Sequence, residues 1–150
     1  MIWIHDRQRA VDVPAAAVRR VARRLLGRRS VSLAFVSDAV IRRLNREFLD
    51  HDFATDVLAF PLGDGGVFGE VVVSGETARR EARARGIAPE EELLRYVVHG
   101  ILHLLGYDDH APRARAKMWK RQEAELRRET GRGKKSLLQS RAAEEDRDAP

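Results

Sequence analysis

The sequence predicts an α+β domain: a small mixed sheet packed with helices, one of them a zincin-like metal helix carrying His-x3-His. Short β-type runs fall early in the chain and long helical runs fall late, the order that separates α+β from alternating α/β folds. The length, 150 residues, suits one domain with one core. Apolar residues make up 43% and charged residues 34%, the balance of a soluble globular protein.

The elements follow in order. Ile2 to Ile4 reads as a short strand. Pro14 opens a helix that runs to Leu26 and stops at Gly27, the usual placement of these two residues. Val18, Val21, Ala22, Leu25 and Leu26 form its apolar stripe, with Arg19, Arg20, Arg23 and Arg24 on the other side and Arg28 and Arg29 beyond its end. Such a cluster is either a solvated face or a phosphate contact. Val31, Leu33 and Phe35 alternate with smaller residues in a strand over 30–36. Asp38 is the candidate N-cap of a helix through Ile41, Leu44 and Phe48. After a polar loop over 50–56, Val57 to Phe60 is a strand stopped by Pro61. A glycine-rich turn over 63–66 then leads into a strand from Phe68 to Val73, which makes a hairpin. Thr77 to Arg85 is a short helix ended by Gly86. Pro89 opens the next helix, about Glu90 to Leu105, with Glu90, Glu91 and Glu92 at its positive end. A last helix covers about Arg113 to Arg128. The expected organisation is a single domain over 1–130 and a charged, disordered tail over 131–150.

The chain has no cysteine, so any metal must be held by His, Asp or Glu. No apolar run reaches the ~18–20 residues of a membrane span, and the first residues do not read as a signal peptide. A cytoplasmic protein without membrane contact is expected. The formal charge is +5, mostly from arginine, whose planar fork suits phosphate.

The residues of most chemical interest lie between 93 and 110. At ~100° per residue, Leu93, Leu94, Val97, Val98, Ile101, Leu102 and Leu105 fill one arc, and His99 and His103 share the opposite side. Their i, i+4 spacing lets both imidazoles reach one ion. Gly106 permits a sharp left-handed turn that brings Asp108, Asp109 and His110 back toward the pair. Three protein ligands would leave a fourth position open, the arrangement of a catalytic rather than a structural zinc. Either Asp109 or His110 is the third ligand. One zinc ion is expected, although imidazole also suits other divalent metals. Gly100 stands where zinc peptidases of the H-E-x-x-H type carry their glutamate base, which weighs against peptidase chemistry.

His99-Gly100-Ile101-Leu102-His103-Leu104-Leu105-Gly106-Tyr107-Asp108 closely resembles the signature of the YbeY family, metal-dependent endoribonucleases of ribosomal RNA maturation. Thr55-Asp56-Val57-Leu58-Ala59-Phe60-Pro61 is similar to that family's second motif, Gly69-Glu70-Val71 to its Gly-Asp-Ile strand, and Leu44-Asn45 to the pair before its first loop. The resemblance covers about residues 30–128. It implies an α+β fold, one zinc, a single-stranded RNA substrate, no DNA, and work on ribosomal RNA maturation and ribosome quality control beside ribosome-assembly proteins. Two positions depart from the family pattern. Its third histidine falls at Asp109, with His110 one residue later. Its loop arginine, held to contact RNA phosphate, falls at Leu49.

On this reading Asp56 or Glu70 is the base, and His51 or the basic helix replaces the loop arginine. Few exposed aromatics are evident for base stacking, so strong sequence readout is not expected. Two other classes stand beside it: a zinc peptidase or amidase, against which Gly100 speaks, and a non-catalytic ribosome-assembly factor whose zinc stabilises the fold.

Overall fold

The computed structural model describes residues 1–63 and 65–147, with side chains as far as Gly131. The order is β1 (Ile2–Asp6), α1 (Ala15–Leu26), β2 (Val31–Val36), α2 (Asp38–Leu49), β3 (Val57–Pro61), β4 (Gly69–Ser74), α3 (Gly75–Arg85), α4 (Pro89–Leu104) and α5 (Pro112–Arg147). The disordered tail expected over 131–150 falls beyond the described side chains. Among the described residues no helix is long and apolar enough to cross a membrane.

The sheet runs β1-β2-β4-β3. β1 and β4 flank β2 in parallel, and β3 closes on β4 as the antiparallel hairpin. The sheet is therefore mixed, and the fold is α+β as the sequence predicts. Strand alternation divides its side chains between two faces. Ile2, Val31, Leu33, Phe35, Val71 and Val73 meet α1 and α4 in the main core. Val36, Leu58 and Val72 meet Ile41 of α2 in a smaller cluster on the other face.

α4 is the axis of the domain, with Leu93, Val97, Val98, Ile101 and Leu102 fully buried. Gly100 lets it approach the sheet: a Cβ there would stand 2.5 Å from Cγ1 of Val71 and 3.1 Å from Cγ2 of Val57. Valine is stiff at χ1, so neither neighbour yields easily. Gly100→Ala should therefore cost about 1–3 kcal/mol by overpacking, partly offset by alanine's ~1 kcal/mol better helix propensity. A lower urea midpoint at unchanged slope is the expected result.

Two side-chain groups differ from the sequence expectation. Ser37, not Asp38, caps α2, its hydroxyl accepting from the Val40 N–H at 3.3 Å. Asp38 instead ties α2 to α3, accepting from the Ser74 and Thr77 hydroxyls at 2.6 and 2.7 Å and from Arg80 at 2.9 Å. Burial alone would raise its pKa, but these donors outweigh it and hold the carboxyl below the usual range. A depressed carboxylate stabilises the fold above its unfolded pKa of ~3.9 and loses that contribution as pH falls through its folded value. Asp38→Asn should thus be less stable than wild type at pH 7, with the two converging in urea titrations as pH falls through the lowered Asp38 value.

The basic helix is largely spent on the fold. Arg20 reaches Glu129 at 3.0 Å and Arg24 reaches Glu125 at 2.6 Å, clasping α1 to α5. Arg19 donates to the carbonyl of Ile2 at 2.9 Å. These three guanidiniums are already engaged.

Candidate metal centre

One helical turn of α4 stacks His99 and His103 on the same edge, with their Nε2 atoms 3.1 Å apart. Past Leu104 the chain closes through Gly106 N–H to the His103 carbonyl and Tyr107 N–H to the Leu102 carbonyl, both 3.0 Å. Gly106 has φ +95°, a conformation that side chains with a Cβ rarely adopt. The turn returns Asp109 to the histidines: its Oδ2 lies 3.4 Å from Nε2 of His103 and 3.7 Å from Nε2 of His99. His110 does not join them. Its side chain is 92% exposed and lies nearest Asp108, at 3.8 Å. Spacing along the sequence left the third donor open between these two neighbours, and the fold brings in the first.

The trio can hold a metal ion. Tetrahedral zinc with bonds of ~2.0–2.1 Å places its donor atoms ~3.3–3.4 Å apart. The three separations here, 3.1, 3.4 and 3.7 Å, straddle that value. Gln122 of α5 completes the arrangement, its Oε1 accepting from Nδ1–H of His99 at 2.7 Å. This bond leaves the lone pair on Nε2, the atom that faces the other two donors, as outer partners of metal-bound histidines do.

Gln122 is a residue that the motif reading missed, although a signal for it existed. It is buried on α5 four residues from both Met118 and Leu126, which are buried too. A polar residue in an apolar stripe needs a partner.

The trio opens on a cleft of about 580 Å³, lined by His99, Asp109, Gln122, Asp56, Tyr96 and Trp119 among others. Asp56 enters from the loop before β3, where its Oδ1 accepts from Val57 N–H at 2.8 Å and from the Thr55 hydroxyl at 3.2 Å. Asn45 is buried and holds this loop by donating to the Phe53 carbonyl at 3.0 Å, which gives the Leu44-Asn45 motif a physical role. Tyr96 lies in the cleft with its phenol pushed well up, first by burial and then by Glu92, Asp56 and Glu81.

The other expected site residues lie elsewhere. Glu70 sits between Gly69 and Val71, whose inner sides meet Leu104 and Gly100 of α4. Alternation turns Glu70 to the α2 face, in register with Ser32 and Phe60. The local pattern of an exposed strand residue could not reveal on which side the histidines would lie. His51 stays outside the cleft, stacked on Phe53 with ring centres 5.6 Å apart. Leu49 is exposed at the end of α2. The expectation of few exposed aromatics also needs correction, because Phe53 and Trp119 both line the cleft and are about half exposed. Each is isolated in sequence, and only folding puts them beside one cavity.

A family model described as Endoribonuclease YbeY matches residues 4–129. Relatives named Endoribonuclease YbeY include one from Anaeromyxobacter sp. (strain Fw109-5), 50% identical over 105 residues, covering 67% of this chain and 54% of the relative. One from Rhodopirellula baltica is 43% identical over 122 residues, covering 78% and 63%. One from Chlorobium phaeovibrioides is 38% identical over 132 residues, covering 84% and 88%. The chain thus spans about half the length of the first of these relatives. Among solved structures, the solution structure of TM1509 from Thermotoga maritima superposes with a TM-score of 0.66 at 29% identity, over 91% of this chain and 93% of that one.

Proposed function

This chain belongs to the Endoribonuclease YbeY family, and on that premise we propose that it is a metal-dependent endoribonuclease acting on single-stranded RNA. The observation that carries the proposal is the trio of His99, His103 and Asp109, with donor separations suited to one tetrahedral ion, at the edge of a cleft that also holds Asp56. Zinc is the ion we assign, from two imidazoles and one carboxylate without thiolate. Asp109 takes the third place and His110 does not.

A divalent ion bound there supplies Lewis acidity toward a phosphoryl oxygen and an acidified water. The chain's own residues do the rest. Gln122 keeps the His99 tautomer that presents Nε2. Asp56, oriented by Thr55 and Val57, is the carboxylate placed to accept a proton in the cleft. Glu70 is not a candidate base, since it lies across the sheet. A peptidase reading gains nothing from the structure, because position 100 faces Val71 and leaves no room for a glutamate directed at the histidines. Ribosomal RNA as substrate, ribosome-assembly proteins as partners, a part in ribosome quality control and a cytoplasmic location complete the proposal. They rest on the family resemblance alone.

The test is cleavage of an end-labelled, unstructured RNA by zinc-loaded protein, with a chelator-treated sample and a DNA strand of the same sequence as controls. Internal cuts in RNA alone, abolished by the chelator, are expected. Protein that carries one ion per chain and leaves the RNA intact would overturn the reading in favour of a non-catalytic factor.

A further inference from the structure

The cleft extends well past the metal trio. Its floor follows one face of α4 through Glu92, Arg95, Tyr96 and His99, eight residues or ~10 Å of helix. Much of its charge is already paired. Glu92 is buried and holds Arg85 at 2.9 Å and Arg95 at 3.0 Å, and Arg95 also reaches Glu123 at 3.2 Å. These groups form a neutralised wall rather than a phosphate track.

Arg115 is different. It lines the same cleft, is exposed, and has no carboxylate partner among the described residues. Trp119 follows it four residues later, about one turn of α5 or ~6 Å along the helix, and is 53% exposed. Phe53 stands on another wall, on the loop before β3, and is 55% exposed. Two accessible aromatic rings on separate walls, a free guanidinium one turn from one of them, and two of the three candidate metal ligands, His99 and Asp109, in the same cavity together match one ligand class. A nucleotide has a flat apolar base and an anionic phosphate about this far apart, and bases stack on aromatic side chains regardless of sequence.

We infer that the cleft is a nucleotide subsite, with a base of single-stranded RNA stacked on Trp119 and Phe53 and an adjoining phosphate on Arg115. The inference rests on the endoribonuclease reading and names how that substrate is held. It implies weak sequence preference, since stacking tolerates every base. It also gives the phosphate contact to α5 rather than to the loop that carries Leu49 or to the clasped arginines of α1.

Trp3 and Trp119 are the two tryptophans of the chain, and Trp3 lies on the edge strand β1. A Trp3→Phe background therefore makes Trp119 a single reporter. The experiment titrates this zinc-loaded full chain with a 2′-O-methyl heptanucleotide, checked on a gel to stay intact throughout the titration. Saturable quenching of Trp119 fluorescence is expected. Phe53→Ala should raise Kd about 5- to 150-fold in that background, and Trp119→Ala should do so by fluorescence anisotropy of labelled RNA. Trp119→Phe should restore most of the affinity. Arg115→Ala should weaken binding and flatten the slope of log K against log salt by about 0.7. Zinc content should be unchanged in all four variants. If wild type binds and cuts RNA while Phe53→Ala and Trp119→Ala bind as tightly, the subsite is wrong and the endoribonuclease reading stands. If wild type neither binds nor cuts RNA, that reading falls and takes the subsite with it.

Discussion

Alanine at His103 or Asp109 should strip the protein of its metal and of RNA cleavage, whereas alanine at His110 should leave both close to wild type. The two imidazoles and the Asp109 carboxylate form a set with separations of 3.1–3.7 Å. Losing one of three protein ligands removes a bond for which water is a weak substitute. The affinity loss should exceed the ~10–100-fold typical of losing an outer-sphere partner. Cleavage should fall by at least as much when metal is limiting. His110, 92% exposed and 3.8 Å from Asp108, has no comparable bond to lose. Isothermal titration with zinc and the RNA assay, run on the same three variants, check this. Zinc lost in His110→Ala and retained in Asp109→Ala would mean that the turn rearranges to bring the third imidazole in. The folded state should survive all three changes, because these side chains lie outside the apolar core.

The second large effect is expected at Gln122, which touches the ion only through His99. Gln122→Leu keeps the apolar packing against Met118 and Leu126 but removes the acceptor for Nδ1–H. Leaving that N–H unpaired in a partly buried site costs about 1–3 kcal/mol. It also frees the imidazole to adopt the tautomer with its proton on Nε2. Zinc affinity should fall about 10–100-fold. Gln122→Glu, which keeps an acceptor at the same reach, should hold affinity near or above wild type. Nitrogen-correlated NMR of the imidazoles gives a readout that mere destabilisation would not move. In wild type His99 should carry its proton on Nδ1, facing Gln122 Oε1, and in Gln122→Leu that preference should be lost. If Leu and Glu behave alike, Gln122 is only a packing residue.

Much of the fold was legible because its signals are local. Strand alternation placed Val31, Leu33 and Phe35, helical periodicity placed the stripes of α1 and α4, and Gly27, Gly86 and Gly106 stand at positive φ where elements end. Ser37 and Asp38 both suit the cap of α2, and only the fold gives the role to Ser37. Asp38 turned out to serve α3, 36 residues further along. The arginines of α1 could not be told from a phosphate site, because Glu125 and Glu129 lie about a hundred residues away.

The sequence by itself determined that His99 and His103 make a pair, because an i, i+4 spacing on a helix has one geometric outcome wherever the helix is put. It determined also that the chain turns sharply at Gly106. Tertiary structure alone decided how that pair is completed. The pitch of the turn sets the Asp109 carboxylate, and not the His110 ring, beside the two histidines, and the packing of α5 on α4 brings in Gln122. Sheet register sent Glu70 to the far face while leaving Asp56 in the cleft. The physical reason is common to all three. A side chain's period within an element follows from local backbone geometry, but the face that meets another element depends on register and packing between segments far apart in the chain.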